Sequence, residues 1–268
     1  MKVKSIHIYP IKSCGSINLQ EAQISPTGFL YDRNFMLVDT QMRFLSQREY
    51  PQMAHIQVEI LSQEATLKID APHKKTLYIA INDFLQKGYP MPTTIWNDTC
   101  TTLFYSAEAD QWFSDFLGID CRLTYLPSTS ERIIDPQYNP KQKITSLSDG
   151  YPFLLTTEAS LDDLNQRLEN PITMQRFRPN IVIEGVKPFE EDQWKTIKIG
   201  DLYFDIAKPC ARCQVITIDP QTAEVGKEPL KTLSTFRKKD NKVLFGQNLI
   251  HQKNEGSIKV GDTIEIIA

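Results

Sequence analysis

The sequence predicts a mainly β fold with a few helices, of the α+β type. Three observations predict it. Short runs rich in Ile, Val, Phe and Tyr recur along the chain, set apart by Gly, Pro, Asn or Asp. Only two segments stand out as capped amphipathic helices. The strand runs also follow one another too closely for a doubly wound sheet, which favours barrels or sandwiches.

The strand runs are Ile6 to Tyr9, Phe35 to Val38, Ile56 to Leu61, Leu77 to Ile81, Phe153 to Leu155, Ile181 to Ile183, Leu202 to Ile206, Val215 to Ile218 and Thr263 to Ile267. In the first helix Ser106 is the cap. Ala109, Trp112, Phe113, Phe116 and Leu117 form one face, and Gly118 ends it. Thr157 caps the second, with Leu161, Leu164 and Leu168 in one stripe and Pro171 as the stop. Both stripes read as core. Between Pro127 and Leu147 the chain is polar and carries Pro127, Pro136 and Pro140, as a linker or extended loop would. A boundary near residue 125 divides the chain into residues 1–124 and 125–268.

A length of 268 residues suits one large or two medium domains, and 41% hydrophobic with 24% charged residues is ordinary for a globular protein. The net charge of −3 provides no electrostatic reason to expect nucleic acid. No apolar run approaches the roughly 20 residues of a membrane span. The five cysteines are scattered and odd in number, which argues against a disulfide framework and for a reducing cytoplasm.

Chemistry concentrates in K-P-C-A-R-C-Q-V-I-T-I-D-P, from Lys208 to Pro220. Cys210 and Cys213 form a C-x-x-C, and the adjacent Arg212 favours a thiolate at Cys213. Three readings stay open from the residues alone: a soft-metal ligand, a redox dithiol, or two small apolar residues in a β core. The strand-like residues after Cys213 argue against a thioredoxin-type pair, which needs a helix there. Zinc lacks further ligands at suitable spacing, because the histidines at 7, 55, 73 and 251 are scattered.

Other segments offer binding groups. Lys12 and Ser13 follow the first strand, and Arg33 follows Asp32; all suit a phosphate. Arg178 is held by Pro179 just before an apolar strand, with Asn180 beside it. Ser148, Asp149 and Gly150 form a loop rich in polar groups ahead of Phe153.

In order, the chain contains Y-P-I-K-S-C, D-R, S-D, E-A-S-L-x-D-L-N, F-R-P-N-I-V-I, R-C-x-x-T-x-D-P, K-E-P-L-x-T-L, L-F-G-Q and G-x-I-K-V-G-D. This series resembles the two-domain MOSC family over about residues 3 to 267. The resemblance implies a β-rich MOSC N-terminal domain, a C-terminal MOSC β-barrel and a molybdenum–molybdopterin cofactor; pyridoxal phosphate is not expected. It implies Cys213 as the metal ligand and catalytic centre. Lys12, Ser13 and Arg33 would hold the phosphate end of the pterin, and Arg178 would be a further contact. Ser148, Asn180 and Arg212 join the expected cofactor contacts, and Asp149 is expected as a proton donor or orienting group.

The implied activity is reduction of N-hydroxylated small molecules, with electrons from an external electron-transfer protein or reductase. The other readings are a cofactor-binding or carrier module without turnover, and thiol–disulfide exchange at Cys210 and Cys213. No nucleic-acid or membrane partner is expected. The first strand begins almost at Met1, so a cytoplasmic location is expected, and the chain lacks the four-cysteine set of a fused ferredoxin domain. Two departures from the family pattern stand out. Gly150-Tyr151 follows Asp149 in place of small hydroxyl residues, and Ala223 replaces the glycine of the D-P-x-T-G turn.

Overall fold

The computed structural model describes residues 1–61, 65–139 and 141–268. Val3, Ile6 and Ile8 are the inward residues of the strand Lys2–Ile8. Strict alternation would send Val3 and Ile6 to opposite faces. A register shift between Val3 and Ser5 brings both inward. The strand then pairs antiparallel with Ile181–Glu184, far along the chain.

It thereby joins the largest sheet, of nine strands. The order is Ile264–Ile266, Thr196–Ile199, Leu202–Ala211, Lys242–His251, Phe153–Thr157, Ile181–Glu184, Lys2–Ile8 and Ile17–Leu19, with Lys238–Lys239 paired to Lys242–His251. Only Phe153–Thr157 and Ile181–Glu184 run parallel among these pairs, and the helix Glu158–Asn165 lies in the connection between them. One core therefore mixes early residues such as Ile6, Ile8 and Phe29 with Phe153, Ile181, Phe204 and Leu249.

A four-stranded sheet orders Phe35–Val38, Arg122–Tyr125, Asp98–Phe104 and Tyr89–Ile95. It packs with the helix Ala107–Leu117 around Phe35, Phe84 and Phe113. Two three-stranded sheets complete the fold, which is mainly β with four α-helices among the described residues.

Both expected helix caps form. Ser106 accepts from the Ala109 N–H at 3.1 Å, and Gly118 ends the helix in the left-handed conformation at φ 72°. Thr157 accepts from the Ser160 N–H at 3.2 Å. Leu168 lies beyond that helix but still packs on its core.

Two expectations need correction, and one element was missed. Val215–Ile218 is not a strand: Gln214–Thr217 is one turn of 3₁₀ helix. An apolar run this short does not itself distinguish strand from buried turn. The hairpin of Tyr89–Ile95 and Asp98–Phe104 is not among the expected strands, and its first strand contains Pro90 and Pro92. Tyr89–Ile95 is an edge strand, where proline is tolerated. The segment 127–147, expected as a linker or an extended loop, has the 3₁₀ turn Pro136–Tyr138 and no strand among its described residues, but it is packed rather than free. Arg132, Ile134, Asn139, Thr145, Ser146 and Leu147 in it are all buried. Pro140, which contributed to the linker reading, lies outside the described residues.

Candidate functional site

The first strand delivers Tyr9 to a turn, and Ile11 bridges to Phe35. Ser13, Arg33 and Arg178 all adopt positive φ, at 68°, 50° and 55°. For residues with a Cβ this conformation costs about 1–2 kcal/mol. Such strain persists where the surroundings over-determine it, and it gathers at functional sites. Here it turns three polar side chains into one cleft.

The cleft has a volume of about 300 Å³, and Lys12, Ser13, Arg33, Ser148, Asp149, Arg178, Asn180, Arg212 and Cys213 all line it. Every site residue expected from the sequence thus comes together. A larger hollow of about 460 Å³ lies alongside and shares Arg178 and Val215. Of the expected site residues it contains only Arg178, so the chemistry gathers in the smaller cleft.

Tyr9 organises the two arginines. The Arg33 and Arg178 guanidinium carbons lie 4.1 Å and 4.2 Å from its ring centroid. Its hydroxyl donates to the Pro179 carbonyl at 3.1 Å, and burial pushes the phenol up to about 12. Asp32 is buried and accepts from the Tyr9 N–H at 2.8 Å and from Arg33 at 2.6 Å. Arg33 also donates to the Asn180 amide oxygen at 3.0 Å and to the Arg178 carbonyl at 3.3 Å.

Arg178 is placed differently. It donates to the Cys14 carbonyl at 2.7 Å, and no carboxylate pairs with it among the described residues. Burial works against its cation, and the neighbouring Arg33 charge adds to that. An anion in the cleft would relieve both effects.

Lys12 is 5% exposed, and burial lowers its pKa from the usual lysine range. It donates to Asp149 at 2.6 Å. Partial desolvation at the cleft disfavours the Asp149 anion, although its side chain is 73% exposed, and Lys12, the Trp96 indole N–H at 3.2 Å and Arg33 outweigh it. Its carboxyl is held well below the ordinary carboxylate range. Asp149 therefore carries no proton to give near neutral pH. Of the two roles expected for it, proton donor and orienting group, this geometry supports the second.

Asn180 and Ser148 are not free binding groups. Asn180 accepts from Arg33 and from the Leu154 N–H, and donates to the His7 carbonyl. Ser148 shares a 2.7 Å hydrogen bond with Thr145 and donates to the Tyr151 carbonyl at 2.8 Å. Both shape the cleft through other groups. Arg132 was missed in the sequence. It is buried, and it donates to the carbonyls of Ser146, Ser148 and Asp149 and to Asp98. A lone arginine in a polar stretch carries no periodic signal. Trp96, at the tip of the unexpected hairpin, was missed with the hairpin.

The cysteines correct two expectations. Cys213 is exposed and Cys210 half-buried, so neither belongs to a β core. Arg212 donates to the Cys210 sulfur at 2.9 Å and to the Phe177 carbonyl at 2.7 Å. Extended backbone sends residues two apart to the same side. The sulfur that Arg212 contacts is thus that of Cys210, two residues back, and not that of its neighbour Cys213 as expected. Among the described residues, no three His, Cys, Asp or Glu side chains group as metal ligands. Cys213 would have to share a metal with ligands from outside the chain.

Comparison with known proteins gives two family matches. The MOSC N-terminal beta barrel domain matches residues 1–120, and the MOSC domain matches residues 142–265. Mitochondrial amidoxime-reducing component 1 of Mus musculus is 32% identical over 99% of this chain and 82% of its own length. The protein of the same name from Homo sapiens gives the same values. A molybdenum cofactor sulfurase of Arabidopsis thaliana is 32% identical over 98% of this chain, which spans 35% of that protein.

Proposed function

The chain belongs to the two-domain MOSC family, and on that premise we propose that it is a molybdenum–molybdopterin-dependent reductase of N-hydroxylated compounds. Amidoximes, hydroxylamines and N-hydroxylated bases are the substrate class. The observation that carries the proposal is the cleft itself. An exposed thiol shares about 300 Å³ with Lys12, Arg33 and an Arg178 that has no carboxylate partner among the described residues. The relatives matched over most of their length are named for amidoxime reduction.

The donor set suits a phosphate-bearing group with a soft metal. A thiolate is the ligand such a metal prefers. Arg33 and Arg178 offer forked donors, and Lys12 and Ser13 add an ammonium and a hydroxyl. The Arg212 Nε–H is buried without a partner among the described residues, and its side chain lines the same cleft.

In this reading Cys213 binds the metal, and Lys12, Ser13, Arg33 and Arg178 hold the phosphate end. Arg212 positions Cys210 and the Phe177 carbonyl beneath them. Asp149 keeps the Lys12 ammonium in place as an ionised partner. The cofactor supplies the two-electron reduction. Overall, R–NHOH with two electrons and two protons gives R–NH₂ and water. A separate electron-transfer protein delivers the electrons.

A second reading is a cofactor-binding or carrier module without turnover. The match to about a third of the molybdenum cofactor sulfurases favours it. One experiment separates the two. Protein made in a cofactor-competent host is analysed for molybdenum and pterin, then assayed with reduced viologen and benzamidoxime. Turnover with viologen, and none with NADH alone, supports the reductase. Bound cofactor with no turnover favours the module.

We propose the cytoplasm as its location. Among the described residues, no helix is long and apolar enough to cross a membrane.

A further inference from the structure

The chain as a whole is acidic, at −3, yet the cleft is lined by six cations and one acid. The cations are Lys12, Arg33, Arg48, Arg178, Lys208 and Arg212, and the acid is Asp149. Four of the six are accounted for above. Arg48 and Lys208 are not. Neither side chain donates a hydrogen bond or forms an ion pair among the described residues.

Both are nevertheless held in place. The Arg48 guanidinium carbon lies 4.4 Å from the Trp96 ring centroid and 5.8 Å from that of Phe44. The Lys208 ammonium lies 4.6 Å from the Tyr138 centroid and 5.0 Å from that of Tyr151. An aromatic face fixes a cation's position without using its hydrogen-bond donors. Each cation is thus pre-positioned with its donors available.

The two stand on either side of the loop 149–151. Trp96, under Arg48, donates to Asp149 at 3.2 Å. Tyr151, under Lys208, is two residues further along. Between them is Gly150, where an added Cβ would meet nothing within 4 Å. Gly150 lines the same cleft as the two cations and leaves open space where a side chain would begin.

We propose that Arg48 and Lys208 select substrates bearing an anionic group, a carboxylate or a phosphate, remote from the N-hydroxylated centre. A small molecule fits better than an acidic protein, because both side chains are half-buried and line the concave cleft. The inference rests on the reductase reading only in calling the ligand a substrate.

The test uses cofactor-loaded protein without reductant, so that binding is read apart from turnover. Trp96 fluorescence is titrated with benzamidoxime and 4-carboxybenzamidoxime, and with N4-hydroxycytidine and its 5′-monophosphate. The first pair reports a carboxylate and the second a phosphate. The anionic member of at least one pair should bind about tenfold more tightly, in line with a charge-assisted contact. Arg48→Gln and Lys208→Gln should each remove most of that preference and leave neutral ligands within about twofold. The preference should shrink as salt rises.

Equal binding within both pairs overturns the proposal, as does equal weakening of neutral and anionic ligands in the variants. So does intact anion preference in both variants with turnover slowed only when a protein donor supplies the electrons; that would mark Arg48 and Lys208 as a protein-docking surface. Anion-selective binding through these residues without later reduction would sustain the proposal and sink the reductase reading instead.

Discussion

Asn180→Ala tests whether the cleft depends on one buried amide. Asn180 is 2% exposed and uses both ends of its side chain. Its oxygen accepts from Arg33 at 3.0 Å and from the Leu154 N–H at 3.2 Å, and its nitrogen donates to the His7 carbonyl at 3.1 Å. Alanine removes all three hydrogen bonds. At about 1 kcal/mol net for each, the loss is about 3 kcal/mol. For a chain of this size each kcal/mol moves the midpoint by roughly 2–4 °C, so Tm should fall by roughly 6–12 °C. Arg33 also loses one of the groups that aim it. Protein made in a cofactor-competent host should therefore carry less molybdenum. Thermal unfolding followed by fluorescence and metal analysis of the same preparation provide the two readouts. A midpoint within about 2 °C of the parent, with unchanged molybdenum, would refute the reasoning.

Three other expectations follow from single residues. His251 is buried, and burial, aided by Lys143, lowers it from 6.5 to about 4. The unfolded chain takes up this proton below about pH 6.5 while the folded one does not, so stability is complete above that pH and is lost as pH falls toward 4, by about 3 kcal/mol. Urea titrations between pH 4 and 7 should show this slope flattened in His251→Gln, and an unchanged slope would count against it. Cys213→Ser should abolish molybdenum-dependent reduction, and Cys210→Ser should leave most of it, since a hydroxyl is a poor soft-metal ligand; equal loss in both would favour the dithiol. Ala223 has φ 58°, so Ala223→Gly should relieve about 1–2 kcal/mol of strain against roughly 0.5–1 kcal/mol of added chain entropy. Its Tm should rise slightly, and a fall would contradict the strain argument.

Local signals in the sequence were dependable where local forces decide. The caps at Ser106 and Thr157 are contacts over three residues, so the sequence alone announces them. The departure at Ala223 was also visible in the sequence, and the structure places that residue at positive φ. Val215–Ile218 failed because apolar residues suit a buried turn as well as a strand. Trp96 and its hairpin went unread, since a strand carrying Pro90 and Pro92 is tolerated only at a sheet edge, which the tertiary structure decides.

The chemical types of the site were legible in the sequence: a cysteine thiol, cations suited to a phosphate, and polar turns before strands. Their meeting was decided only by tertiary structure. Lys2–Ile8 pairs with Ile181–Glu184, and this carries the turn with Lys12 and Ser13 to Arg178 and Cys213. Direction was also decided there. The Arg212 guanidinium meets the Cys210 sulfur, a contact that sequence adjacency to Cys213 does not announce. Composition records only the sum of charges, so a chain of net −3 gave no sign of a cationic cleft. Folding separates the charges in space, and a ligand in the cleft meets the cations gathered there rather than the average.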